Sequence, residues 1–154
     1  MGLLPALRLR AVRYQRELPT VKHTGLFASI YHRRAAQLEG FDDVLFLDAD
    51  DQVSEGATWN IGFFDGSQVV WPKSECLMGV TMNLIQQILG KDDLPCVTSV
   101  VDVSSLEQMQ CVFITNAAVG VRPVASIANV RLHPDSEVLK ILQREYAALP
   151  GESL

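Results

Sequence analysis

A mixed α/β (α+β) domain is the fold class this sequence predicts, on three observations. Short stretches such as Leu7-Arg8-Leu9-Arg10-Ala11-Val12-Arg13-Tyr14 alternate as a half-buried strand does. Longer segments, 24–39 and 135–148, carry apolar residues at helical spacing. Asp65-Gly66 sits between two strand-like runs, a strong local hairpin signal. With 154 residues, 48% of them apolar, the chain is long enough to bury one core without disulfide or metal staples. Its apolar runs fall short of the roughly 20 residues needed to span a bilayer.

The elements follow in order. After the strand at residues 7–14, Glu17-Leu18-Pro19-Thr20 breaks the pattern, because proline restricts the residue before it. A helix over 24–39 is predicted with Thr24 as N-cap, Gly40 as stop, and Leu26, Phe27, Ile30, Tyr31 and Leu38 sharing one face. A strand over 43–48 turns at Ala49-Asp50-Asp51-Gln52, and 59–64 with 68–71 form the hairpin, ended by Pro72. Gly79-Val80-Thr81-Met82 opens a helix to about Leu89, with Gly90 as its stop. Strands over 97–103, 111–115 and 122–127 follow, with a short helix over 104–108. The last helix has acidic Asp135-Ser136-Glu137 at its positive end and Leu139, Leu142, Tyr146 and Leu149 on one face.

Charge excludes one class of partner. Thirteen basic against eighteen acidic residues give a net charge of −5, which argues against a nucleic-acid-binding domain. Residues 1–34 nonetheless hold Arg8, Arg10, Arg13, Arg16, Lys22, Arg33 and Arg34 against the single acid Glu17. Their near-alternation favours a strand over a targeting leader or an arm that grips polyanions. Cys76, Cys96 and Cys111 are widely spaced and show no paired motif, which predicts reduced thiols and a cytoplasmic setting. His23, His32 and His133 lack metal-ligand spacing, so surface or core roles are expected rather than a metal site.

Four places carry chemistry. Lys22 lies between a strand and a helix beside Val21, Leu26 and Phe27. If desolvated there it becomes a nucleophilic amine suited to a Schiff base, and otherwise it is a solvated lysine. Glu55, read as a turn residue before Gly56, can accept a proton from a ring nitrogen or simply serve the turn. Gly79, Val80 and Thr81 open a helix whose free N–H groups favour an anion, as many helix starts do. Thr115-Asn116-Ala117-Ala118 ends a strand with small residues that permit close backbone approach.

Taken together, Lys22, Ser54-Glu55-Gly56 with Asn60, Leu77-Met78-Gly79-Val80-Thr81 and Thr115-Asn116-Ala117 resemble the class IV (fold type IV) pyridoxal-phosphate-dependent aminotransferases. That family includes branched-chain and D-amino-acid aminotransferases and aminodeoxychorismate lyase. The resemblance runs from about Pro19 to Ile127 and implies a barrel-like mixed sheet with flanking helices. It implies that pyridoxal 5'-phosphate is the cofactor, held as an aldimine on Lys22 while an amino group moves between an amino acid and a 2-oxo acid. Glu55 matches the carboxylate that faces the pyridine nitrogen, and Gly79, Val80 and Thr81 the phosphate cradle, with Asn116 and Ala117 beside it. A carbon–carbon lyase of the aminodeoxychorismate type is the alternative chemistry, and an inactive remnant with a structural role is the alternative to an enzyme.

The sequence departs from the family pattern at several positions. Gly62 stands where an aromatic residue is usual, Pro72 where threonine is, and Met82 where a basic residue follows the phosphate turn. Phe27 replaces a tyrosine of the branched-chain members, and Ala117 lacks a hydroxyl, as in the lyase branch. The lysine arrives only 22 residues in, so a first domain is expected to be missing. The expected organisation is therefore 1–18 as strand and linker, 19–149 as the cofactor-binding C-terminal domain, and 150–154 as a tail. A homodimer, or a second chain that supplies the absent half, is the expected partner, with no nucleic acid and no membrane.

Overall fold

The computed structural model describes residues 4–91 and 94–151. Residues 1–3 of the opening segment and 152–154 of the expected tail lie outside the described residues. Among the described residues the order is β1 (Leu7–Arg13), α1 (Phe27–Leu38), β2 (Asp43–Leu47), β3 (Val53–Gly56), β4 (Asn60–Phe64) and β5 (Val69–Pro72). Then come α2 (Val80–Lys91), β6 (Cys96–Ser99), a 3-10 turn (Val103–Gln108), β7 (Cys111–Asn116), β8 (Gly120–Ile127), β9 (Val130–Arg131) and α3 (Glu137–Ala147). No described helix is long and apolar enough to cross a membrane.

The strands form one mixed, curled sheet in the order β3-β2-β1-β8-β7-β4-β5-β6, with β9 paired to β8. β1 runs parallel to both β2 and β8, so the opening strand is built into the middle of the sheet. The two margins meet: Val53 donates its N–H to the carbonyl of Val101 at 2.7 Å, and Gln52 bridges Asp102. This contact gives the sheet its barrel-like closure and protects part of both edges.

Burial follows the pleat. Leu9, Leu45, Ile61, Val112, Ile114 and Ile127 fill one core, inside the curl. Trp71 and Phe113 face the other way, onto Ile85 and Leu89 of α2 and Leu139 and Leu142 of α3. Met82 belongs to that second core, which accounts for an apolar residue after the helix start in place of a basic one. Gly62 is also explained by packing. It pairs directly with Phe113, whose ring would lie 2.5 Å from a Cβ at position 62. The aromatic bulk usual at that site comes here from the neighbouring strand.

Several sequence expectations are corrected. α1 begins at Phe27 with Leu26 at its cap position and no side-chain cap, because Thr24 instead closes a tight turn through its carbonyl to Leu26 N. The shared apolar face points outward: Phe27 is 84% accessible, and Ile30, Tyr31 and Leu38 are exposed as well. α1 docks through the small residues Ser29 and Ala36. Arg33 anchors it, with Nε 3.0 Å from Asp43 Oδ1, while Trp59 Nε1 donates to Asp43 Oδ2 at 2.9 Å. A small-residue contact pinned by that shared carboxylate fixes the helix rotation against its hydrophobic pattern. Gly90 lies inside α2 rather than ending it, and Pro72 is the last residue of β5, paired with Ser99. The 97–103 strand is shorter and starts earlier, at Cys96–Ser99, because Val103 turns into the 3-10 segment. Leu149 falls beyond the end of α3.

The Gly62–Phe113 contact yields a stability prediction. Gly62→Val forces the Phe113 ring out of its place and is expected to cost about 1–3 kcal/mol, as overpacked cores do. Urea unfolding followed by tryptophan fluorescence measures it, and an unchanged midpoint would contradict the packing account.

Candidate functional site

Glu55 is not in a turn: it lies in β3, where the strand pairs with β2 and delivers the carboxylate inward. It is 6% exposed, and beside it Arg16 is 9% exposed. Arg16 Nε sits 2.7 Å from Glu55 Oε1, and the same guanidinium donates through Nη2 to the carbonyl of Pro19. Glu55 Oε2 accepts the N–H of Leu77 at 3.3 Å. Burial pushes the Glu55 carboxyl above the usual carboxylate range, and the Arg16 guanidinium and the Leu77 N–H pull it part of the way back.

The loop before α2 is clamped by one side chain. Asn60, at the start of β4, donates from Nδ2 to the carbonyl of Leu77 at 2.7 Å and accepts the N–H of Gly79 on Oδ1 at 3.1 Å. A Cβ at 79 would lie 2.4 Å from Asn60 Oδ1, so a larger residue there would have to displace the clamp. The first helical N–H groups, those of Val80 and Thr81, have no carbonyl partner within the helix and carry its positive end. The Thr81 hydroxyl stands 3.4 Å from the phenol of Tyr146, and the backbone N–H of Thr81 faces the helix end as a further donor.

On the next strand, Asn116 spends its side chain on the β7–β8 turn. Its Oδ1 accepts the N–H groups of Ala118 and Val119 at 3.0 and 2.9 Å, and its Nδ2 donates to the carbonyl of Thr58. Ala117 presents a methyl group and its backbone. Lys22, exposed, lies in the irregular segment between β1 and α1.

A pocket of about 340 Å³ is lined by all seven residues singled out in the sequence: Lys22, Glu55, Gly79, Val80, Thr81, Asn116 and Ala117. They come from four separate places in the chain, and the order of the strands brings them together. Phe27 is not among them and lines a neighbouring open cleft instead. Sequence reasoning missed Arg16, which it counted with the basic strand. The available signal was physical: a buried carboxylate needs a cation, and Arg16 is the nearest in sequence to Lys22.

The donor set has a definite chemistry. A primary amine, a buried carboxylate and a helix N-terminus around one cleft suit a planar cationic ring that carries a carbonyl group at one position and a phosphate at another. Pyridoxal 5'-phosphate is such a molecule, and the residues present fit it.

The model of the amino-transferase class IV family matches residues 5–127. The chain belongs to the class IV aminotransferases. It is 33% identical over 122 residues to a mitochondrial branched-chain amino acid aminotransferase of Humulus lupulus, covering 75% of this chain and 31% of that one. A second mitochondrial branched-chain enzyme, from Arabidopsis thaliana, is 35% identical over 98 residues, 61% of this chain and 26% of its own length. The chain thus spans about a third of the length of the curated relatives it matches. Among solved structures, a Legionella pneumophila protein provisionally named a 4-amino-4-deoxychorismate lyase superposes with a TM-score of 0.89 at 20% identity, over 96% of this chain and 57% of its own. The branched-chain amino acid aminotransferase of Escherichia coli superposes with a TM-score of 0.83 at 21% identity, over 94% and 52%. These superpositions establish the fold as that of the class IV family members.

The buried pair sets the next test. Arg16→Met leaves the Glu55 charge uncompensated and is expected to cost about 3–5 kcal/mol at neutral pH. Burial already raises the folded-state pKa of Glu55 and loss of Arg16 raises it further, so the penalty is full only above the variant's own pKa and fades as acid protonates the carboxyl. Urea unfolding of wild type and variant at neutral and mildly acidic pH measures both effects. A pH-independent loss would mean that Arg16 contributes packing rather than charge.

Proposed function

We propose that this chain carries the lysine-bearing half of a pyridoxal-phosphate-dependent class IV aminotransferase, which moves an amino group between an amino acid and a 2-oxo acid. The observation that carries the reading is the convergence of Lys22, Glu55 and the α2 N-terminus on one pocket. Pyridoxal phosphate, when bound, supplies the carbonyl carbon that receives amines and the ring that draws electrons from the substrate α-carbon.

The chain's own groups divide the work. Lys22 provides the amine that takes hold of the cofactor and, once freed, the base that carries a proton at the substrate α-carbon. The free oxygen lone pairs of Glu55 would accept a hydrogen bond from a protonated ring nitrogen, and Arg16 holds the carboxylate in place for it. The N–H groups of Gly79's successors, Val80 and Thr81, would hold the phosphate, and the Asn60 clamp keeps that helix start in register. Val80 and Met78, both exposed at the rim, limit water over part of the cleft only.

The partner is part of the proposal. Leu18, Val21, Phe27, Ile30, Tyr31 and Leu38 form exposed apolar surface before and along α1, and such surface favours association. We propose a homodimer, or a second chain, seated on this surface. Cytoplasmic residence belongs to the same reading, supported by three unpaired cysteines. A carbon–carbon lyase is the second reading. The methyl group of Ala117 in place of a hydroxyl and the superposition on the Legionella protein favour it.

The experiment is direct. Purified chain mixed with pyridoxal phosphate should turn yellow, and borohydride reduction should place the label on Lys22 at close to one per chain. Lys22→Ala should abolish that label, and label spread evenly over Lys73, Lys91 and Lys140 would defeat the reading. Glu55→Gln should lower turnover about a hundredfold or more while cofactor retention changes far less, as expected for loss of one proton-holding group. Release of pyruvate without an added 2-oxo acid would select the lyase.

A further inference from the structure

Lys22 lies in a segment, residues 14–26, that has no strand or helix of its own. Two short backbone bonds shape it: Val21 N to Leu18 O at 2.9 Å and Leu26 N to Thr24 O at 2.8 Å. The residue next to the lysine adds a longer brace. His23 Nδ1 accepts the N–H of Gly25 at 3.0 Å, and its Nε2 lies 3.1 Å from the carbonyl oxygen of Glu17.

Both contacts are satisfied by one form of the ring. A backbone N–H must meet a bare nitrogen, and a carbonyl must meet an N–H, so the imidazole is neutral with its proton on Nε2. The ring then spans the segment from residue 17 to residue 25, with Lys22 between those anchors. It also lines the Lys22 pocket and the adjoining cleft of about 390 Å³ that Leu18 and Phe27 help to form. His23 and Lys22 share a planar peptide, so holding the ring at both nitrogens restrains the backbone that presents the lysine.

We infer that His23 is a positioning residue for Lys22: its neutral imidazole ties Glu17 to Gly25 and so aims the amine into the pocket. The inference rests on the reading of Lys22 as the cofactor-bearing amine and adds to it the group that orders it. Without the brace, the segment regains roughly one residue's worth of backbone freedom, which slows a reaction that needs it ordered by about tenfold.

The test uses the whole chain and pyridoxal phosphate itself. Wild type, His23→Phe and His23→Asn are mixed with the cofactor, quenched with borohydride at set times, and mapped by mass spectrometry at Lys22, Lys73, Lys91 and Lys140. His23→Phe should label Lys22 about tenfold more slowly, with rates at the other three lysines unchanged. His23→Asn should recover part of the loss, since its amide oxygen can take the Gly25 N–H. Circular dichroism checks that each variant is folded, and if His23→Phe is not, His23→Gln replaces it in the same comparison. Wild-type rates at Lys22 in a folded variant overturn the inference alone, as does an equal slowing at all four lysines. Wild type with no preference for Lys22 overturns the cofactor-bearing role of Lys22 and this inference with it.

Discussion

The buried ion pair between Arg16 and Glu55 holds the site together. Arg16 reaches back to the Pro19 carbonyl, at the entrance to the segment that carries Lys22. Glu55 reaches on to the N–H of Leu77, whose carbonyl is held by Asn60, which in turn accepts the N–H of Gly79 at the start of α2. One continuous run of hydrogen bonds thus links the lysine segment, β3, the loop before α2 and the N-terminal end of α2. In a low-dielectric setting such a network is strong when every member is satisfied and costly when one is lost. It lets the lysine segment, β3 and the loop that leads into α2 keep a common geometry although two of these three are irregular.

The sheet supplies the frame for that network. Antiparallel pairing of β4 with β7 brings Asn60 opposite Thr115, so the clamp and the β7 turn share one end of the sheet. Contact between the sheet margins at Val53 and Val101 holds β3, and with it Glu55, against the curl. α2 and α3 bury the opposite face through Ile85, Leu89, Leu139 and Leu142, which fixes where the α2 N-terminus points.

α1 is the exception to this economy of burial. Its apolar stripe faces outward, and its inward contact is made of Ser29, Ala36 and an Arg33–Asp43 ion pair. Helical periodicity identifies an apolar face but not what covers it, and here the sheet takes the opposite side. The exposed stripe therefore informs on association rather than on the internal core.

Much of the site was legible in the sequence because each group is marked by a local constraint. Lysine beside a strand break, a carboxylate before Gly56 and a glycine opening a helix are all readable as residue types at fixed spacing. Strand patterning located β1, β2, β4, β7 and β8 well, since alternation and turn chemistry are local. β3 was missed because four residues with Ser, Glu and Gly among them carry no strand signal; β3 exists through pairing with β2. Arg16 was missed for a related reason, as its role depends on a carboxylate 39 positions away. By itself, then, the sequence determined the fold class, the family and which residues line the pocket, all of which are written in local pattern. Tertiary structure alone decided the ion pair, the face that α1 buries and the convergence of the groups on one pocket, because those depend on strand order and on contacts between residues distant in the chain.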